Sequence, residues 1–164
     1  MRGEWWQEIG RTVWEEFSDV PDVAQATRIA VRLLLAAILG GVLGVEREQQ
    51  GKSAGLRTHM LVALGSALFV LIPQQAGVAD ADLTRVLQGV AAGVGFLGAG
   101  TILKGSGPEE VHGLTTAAGI WLTAAIGVAA GLGREATAVL STLFALLVLS
   151  VIPRVVRLFE SRGS

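Results

Sequence analysis

The sequence contains no cysteine. Disulfides, thiolate nucleophiles and cysteine-based metal sites are therefore excluded, while the compartment is left open. Charge is also scarce: 16% of the 164 residues are Asp, Glu, Lys or Arg, against roughly 25% in soluble domains. The formal net charge is −1, so no overall basic surface suits the chain to nucleic acid. Neither the His-Glu-x-x-His metal motif nor the Gly-x-Ser-x-Gly nucleophile elbow occurs. No motif supports an enzyme. The amino-terminal segment lacks the apolar stretch of a signal peptide, because Glu4, Glu8, Glu15 and Glu16 interrupt it.

What the chain does have is apolar residues, 51% of the total, gathered in long blocks. Five blocks stand out: Thr27 to Val45, Thr58 to Ile72, Val86 to Leu103, Leu114 to Leu132 and Ala136 to about Val156. A spanning helix needs roughly 20 residues. The fold class is therefore all-α, a polytopic helical membrane protein with about five transmembrane helices, its first partner the lipid bilayer. The second block is short and is expected to stop at Pro73. Only Gly133, Arg134 and Glu135 separate the last two, which must form an antiparallel hairpin.

Residues 1–26 read as an interfacial amphipathic helix. Trp6, Ile9, Val13 and Phe17 recur at steps of three and four, opposite Glu4, Glu8, Arg11 and Glu15. Trp14 and Glu16 fit the pattern poorly. Three of the four tryptophans fall here, as at a membrane–water boundary. Pro21 is expected to end this helix. The spanning domain then covers 27–158, and 159–164 form a short polar tail.

Basic residues divide between the two membrane faces. One set of loops holds Arg47, Lys52, Arg57, Lys104, Arg154, Arg157 and Arg162; the other holds Arg2, Arg11, Arg28, Arg85 and Arg134. The richer set marks the cytoplasmic side, with the amino terminus outside and the carboxyl terminus inside.

The densest polar feature is the first loop, EREQQGKSAGLRTH, from Glu46 to His59. Glu46 and Glu48 follow the carboxyl end of the first span, where the helix dipole favours cations. They require Arg47, Lys52, Arg57 or a bound cation, and carboxylate oxygens suit Mg²⁺. A salt-bridged loop and a cation contact both fit. Thr58 is placed to cap the second helix. Arg32 lies one turn below Arg28 on the same helical face, free either to snorkel or to pair inside the bundle. Gly89 and Gly93 form a small-xxx-small face, and Gly95, Gly98 and Gly100 extend the small surface, which suits close helix packing. Gly93-x-Gly95-x-x-Gly98 matches a dinucleotide fingerprint only as letters, since no strand precedes it. Thr101, Thr115, Thr116 and Thr123 can satisfy helix carbonyls or partners on other helices. Glu109 and Glu110 precede the fourth span on the side its dipole favours. His59 and His112 both lie at cytoplasmic ends of spans.

Four stretches together resemble the MgtC/SapB family. They are RLLLAAILGGVLGVERE from Arg32, GKSAGLRTHMLVALGSALF from Gly51, GVGFLGAGTILK from Gly93 and GLTTAAGIWLTAAIGVAAGLG from Gly113. The resemblance implies a bacterial inner-membrane protein of about five helices, associated with growth or survival at low Mg²⁺. Family members have been described as Mg²⁺ transporters and as regulators, including restrainers of the proton-driven ATP synthase. By motif it marks Arg32, Glu46, Arg47, Arg57, Thr58, His59, Thr101, Thr115 and Thr116. The best-known members carry a cytoplasmic carboxyl-terminal domain absent from these residues, and often a cysteine where Ala63 stands. The expected role is Mg²⁺-linked homeostasis through contact with other membrane proteins, or as a homo-oligomer; a cation transporter or channel subunit is the alternative. Mg²⁺ is the one cofactor suggested, with Glu46 and Glu48 as its candidate ligands.

Overall fold

The computed structural model describes residues 2–18, 20, 22–104 and 111–154. The expectations placed on Pro21, on Glu109 and Glu110, on Arg157 and Arg162, and on the tail fall outside them. Six helices account for nearly all of the fold: α1 (Arg2–Glu16), α2 (Val23–Gln49), α3 (Leu56–Gln75), α4 (Asp80–Ala99), α5 (Leu114–Gly131) and α6 (Glu135–Leu146). A π-helical turn, Leu147–Val151, continues α6, and helix resumes to Arg154. Two residue pairs, β1 (Leu103–Lys104) and β2 (Val111–His112), meet antiparallel, with Leu103 opposite His112.

The chain divides into two compact units, Met1–Val31 and Arg32–Ser164. In the first, α1 leaves Trp5, Trp6, Ile9, Val13, Trp14 and Phe17 all exposed. The Asp22 carboxylate accepts the Gln25 N–H at 2.6 Å and so caps α2.

In the second unit α3 packs against α5, α5 also packs on α4 and α6, and α4 touches α3. Its interior is made of small residues. Among the described residues, eight of the sixteen buried hydrophobic positions are alanine, whereas Leu34, Leu61, Phe69, Phe96, Leu140 and Phe144 are exposed. A soluble protein reverses this arrangement. In lipid the large side chains face acyl tails, and helices cohere where small residues let backbones approach. Ala63 of α3 shows how this is done. A Cβ added to Gly40 of α2 would lie 2.8 Å from the Ala63 Cβ, and one added to Gly127 of α5 would run into the Ala63 carbonyl oxygen. One turn further along, a Cβ on Gly131 would sit 2.5 Å from the Ala67 oxygen. Gly44 meets Leu56 of α3 equally closely.

Among the described residues, four helices are long and apolar enough to cross a membrane: Val23–Gln49, Leu56–Gln75, Leu114–Gly131 and Glu135–Arg154. They cover four of the five expected blocks. The remaining block, Val86 to Leu103, corresponds to α4, which has 20 residues but begins with Asp80, Asp82 and Arg85. It starts six residues before Val86 and ends four before Leu103. Its acidic first turn suits the positive end of the helix dipole. Nor does α3 stop at Pro73. Pro73 lies inside the last turn, and the helix closes beyond it, with Ala76 N–H bonded to the Ile72 oxygen and Gly77 at φ 68. A proline this close to the end disturbs only the final turn, and the positive φ of Gly77 supplies the stop.

Close packing expected of Gly89, Gly93, Gly95 and Gly100 is carried instead by Gly40, Gly44, Gly127 and Gly131. A Cβ on Gly89, Gly93 or Gly95 would meet nothing within 4 Å, and one on Gly100 would meet only its own turn's carbonyls. Gly98 does pack, 3.5 Å from the Ala117 Cβ. The two behaviours separate experimentally. Gly127→Ala should destabilise the protein by about 1–3 kcal/mol through overpacking. Gly65→Ala, at an open position, should be neutral or stabilising by up to about 1 kcal/mol. Reversible unfolding in mixed micelles measures both.

Candidate functional site

Two polar clusters lie at opposite ends of the bundle. At one end Arg32 of α2 turns inward. Its Nη1 donates to Gln74 Oε1 at 2.7 Å and to the Gly131 carbonyl at 3.1 Å. Both acceptors sit where a helix ends, α3 and α5 respectively, and a guanidinium there answers the negative end of each dipole. A side chain on Gly133 would collide with that guanidinium. Of the two readings offered by the sequence, Arg32 takes the inward one.

The other end holds the family-marked residues of the first loop. Glu46 and Arg47, the last turn of α2, are both buried, at 9% and 3% exposure. Arg47 Nε donates to Glu46 Oε2. Ser150 Oγ donates to Glu46 Oε1 at 3.2 Å. Ser150 reaches Glu46 from the π-helical turn of α6, in which Ile152 N–H bonds the Leu147 oxygen. Pro153 follows at once and has no N–H for Leu149, which favours a widened turn just before it.

His59 of α3 is fully buried beside this pair. Its Nδ1 is 3.0 Å from the Gly55 carbonyl, which can only accept, so Nδ1 carries the proton. Nε2 is then left as an acceptor, buried and without a hydrogen-bond partner. Gly119 of α5 closes the cluster: a Cβ there would lie 3.6 Å from His59 Nε2 and 4.0 Å from Arg47 Cδ.

Glu48 points elsewhere. Its Oε2 accepts the Leu56 N–H at 2.9 Å and caps α3 across the loop. Gly55 makes room, since a Cβ there would lie 2.6 Å from that oxygen. The cap comes from Glu48, eight residues upstream, rather than from Thr58, which is exposed within the first turn. The candidate carboxylate pair is thus divided between two sets of protein donors. Among the described residues no group of three or more His, Asp or Glu side chains is arranged to hold a metal ion. This donor set does not fit a directly coordinated Mg²⁺, which wants octahedral oxygen.

The remaining marked residues are scattered. Arg57 is exposed. Thr58 and Thr101 line one hollow of about 350 Å³ with Ser53, Gly100 and Ile120. Thr101 Oγ1 also bonds the Gly98 carbonyl at 2.8 Å. Thr116 is buried, while exposed Thr115 faces a groove between α5 and α6. Thr123 and Thr142 return their hydroxyls to Gly119 and Ala138 carbonyls of their own helices. His112 is exposed in β2, whereas His59 is buried. Ser150 and Gly119 were not singled out in the sequence, though a lone serine in LLVLSVIP is a visible anomaly.

Residues 33–158 match the MgtC family. The chain belongs to the MgtC family. It is 50% identical to Protein SrpB of Synechococcus elongatus over 147 residues, 83% of this chain and 81% of that protein. It is 46% identical over 129 residues to Escherichia coli YhiD, named a putative magnesium transporter, and 41% identical over 125 residues to Protein MgtC of Brucella abortus. These matches cover 74% and 76% of this chain but only 59% and 51% of those two relatives. No solved structure matches significantly. The matched segment thus contains the α3-centred bundle and the Glu46–Arg47–His59 cluster, and it begins one residue after Arg32.

Removing Glu46 should expose the cost of burying Arg47. Glu46→Gln should lose about 3–5 kcal/mol of stability, because a buried charge is left unpaired. The double variant Glu46→Leu/Arg47→Met should recover most of that loss. Glu48→Gln should cost only about 0.5–2 kcal/mol, as a cap does. Denaturant unfolding of the three proteins in micelles gives the comparison.

Proposed function

We propose that this MgtC-family membrane protein serves Mg²⁺-linked homeostasis in the bacterial inner membrane by associating with and regulating other membrane proteins, without catalysis of its own. The description of the relative YhiD as a putative magnesium transporter supports the link to magnesium. The distribution of lysine and arginine supports an external amino terminus and a cytoplasmic carboxyl terminus.

The observation behind the association reading is the groove between α3 and α4. It measures about 570 Å³ and is walled by Leu61, Phe69, Val86 and Leu97. Gly65, Gly89 and Gly93 line it with no atom within 4 Å of their Cβ positions. A small-residue surface of this kind admits the backbone of a neighbouring helix. The engagement of Glu46 by Arg47 and Ser150, and of Glu48 by Leu56, supports contact over direct metal handling.

Gly89→Leu/Gly93→Leu fills the groove from one side. The expected result is joint loss of co-purifying membrane proteins and of growth at limiting Mg²⁺, with unfolding in micelles unchanged. Unaltered partners and growth would overturn the proposal. So would Mg²⁺ entry into liposomes carrying only this protein, above empty vesicles, which would favour the transporter reading.

A further inference from the structure

Helix α1 separates its side chains into two halves. At about 100° per residue, its exposed apolar side chains follow one another around the axis as Trp5, Ile9, Val13, Trp6, Phe17 and Trp14. Together they cover about 180° of the circumference. Gln7, Glu8, Arg11, Thr12 and Glu15 fill the other half, and only Glu16, beside Trp5, breaks the division. The rims of the apolar half are both indoles, Trp5 and Trp14. An indole at a rim keeps its N–H among headgroups while its ring lies in the apolar layer.

The chain itself says what lies within reach of this face. Six residues separate Glu16 from Val23, the first residue of α2. A fully extended chain covers at most about 3.6 Å per residue, so the end of α1 stays within about 25 Å of the start of α2. Helix α2 has 27 residues, a length of about 40 Å, against about 30 Å of hydrocarbon. Asp22, Gln25, Thr27 and Arg28 make its start polar, which sets that end among headgroups. A bilayer surface is therefore always beside α1, at a local concentration that no diffusing partner matches.

Charge then selects the kind of lipid. Interfacial helices ordinarily carry Lys and Arg on the polar face and are drawn to anionic lipid. Helix α1 has the opposite sign, with four glutamates against two arginines. Arg11 is already engaged by Glu15, at 3.5 Å. Along the Trp5 rim a hollow of about 580 Å³ has Trp5, Ile9 and Val13 for its apolar wall and Glu8 and Thr12 for its polar wall. Acyl carbon suits the first wall and an ammonium group the second. We propose that α1 docks flat on the bilayer surface and prefers phospholipid with a zwitterionic, ammonium-bearing headgroup to anionic phospholipid. The preference is independent of the α3–α4 groove, to which α1 contributes no residue.

Tryptophan emission supplies the test. Trp121 is the one tryptophan outside α1, so in the full chain carrying Trp121→Phe all indole emission comes from Trp5, Trp6 and Trp14. In liposomes of phosphatidylcholine and phosphatidylethanolamine, that emission should be quenched by phospholipid brominated high on its acyl chains and only weakly by aqueous acrylamide. Exchanging the ethanolamine lipid for phosphatidylglycerol at low ionic strength should raise acrylamide quenching several-fold, and added salt should reverse the rise. Glu8→Gln/Glu15→Gln/Glu16→Gln should erase the difference between the two mixtures while the indoles stay in the bilayer. Ile9→Ser/Val13→Ser should open them to acrylamide in both, with unfolding of the bundle in micelles unchanged. Indoles open to acrylamide in both mixtures before any such substitution would overturn the docking. Indoles hidden from acrylamide and from brominated lipid alike would also overturn it, and would assign the face to protein. Equal or stronger docking on phosphatidylglycerol would overturn the lipid preference. Each of these results leaves the groove reading standing, because Gly89 and Gly93 are unaltered throughout.

Discussion

Everything in the spanning bundle depends on how closely two backbones can approach α3. Ala63 and Ala67 offer methyl groups, and Gly40, Gly127 and Gly131 offer nothing at all, so α2 and α5 close on α3 at carbonyl distance. In lipid there is no hydrophobic gain from hiding a leucine, and dispersion contact between fitted surfaces takes its place. This explains why the interior is alanine and glycine while leucine and phenylalanine face outward.

Tight closure at α3 also decides what its ends can hold. Where α3 and α5 terminate together, their carbonyl ends converge and Arg32 ties them. Where α3 begins, the same closeness traps His59 and Arg47 against Gly119, and Arg47 in turn holds Glu46. A buried ion pair is weak evidence for stability, since desolvation offsets much of the attraction. Glu46 accepts from Arg47 of its own helix and from Ser150 of the π-helical turn after α6, and so links α2 to that turn.

Much of this was legible in the residues. Block hydropathy located four spanning helices to within a few residues, and the three-residue link made the last hairpin certain. The start of α4 was not, because Asp80, Asp82 and Arg85 lie ahead of the apolar block, although acidic residues in a first turn suit the helix dipole. Glycine spacing identified faces without saying what lay opposite. Gly40/Gly44 and Gly127/Gly131 have the same separation as Gly89/Gly93, yet only the first two pairs meet a neighbour within the chain. Helix period is local information, whereas contact needs the three-dimensional arrangement. The role of Glu48 was hidden for a similar reason: its capped N–H lies eight residues away, across a turn. The importance of the Glu46–Arg47 pair was visible as charge, and its burial was not.

The π-helical turn at Leu147–Val151 has a consequence for how the last helix leaves the bundle. One residue more than an α-helix requires is taken up there, so the helix from Ile152 to Arg154 is turned back by about 100° relative to a regular continuation. Were that residue lost, the helix would straighten, a different side chain would arrive where Ser150 now meets Glu46, and the exit azimuth of the chain would change. The length of this segment acts as a phase adjuster: a single inserted or missing residue is equivalent to re-aiming the last described turn, Ile152 to Arg154.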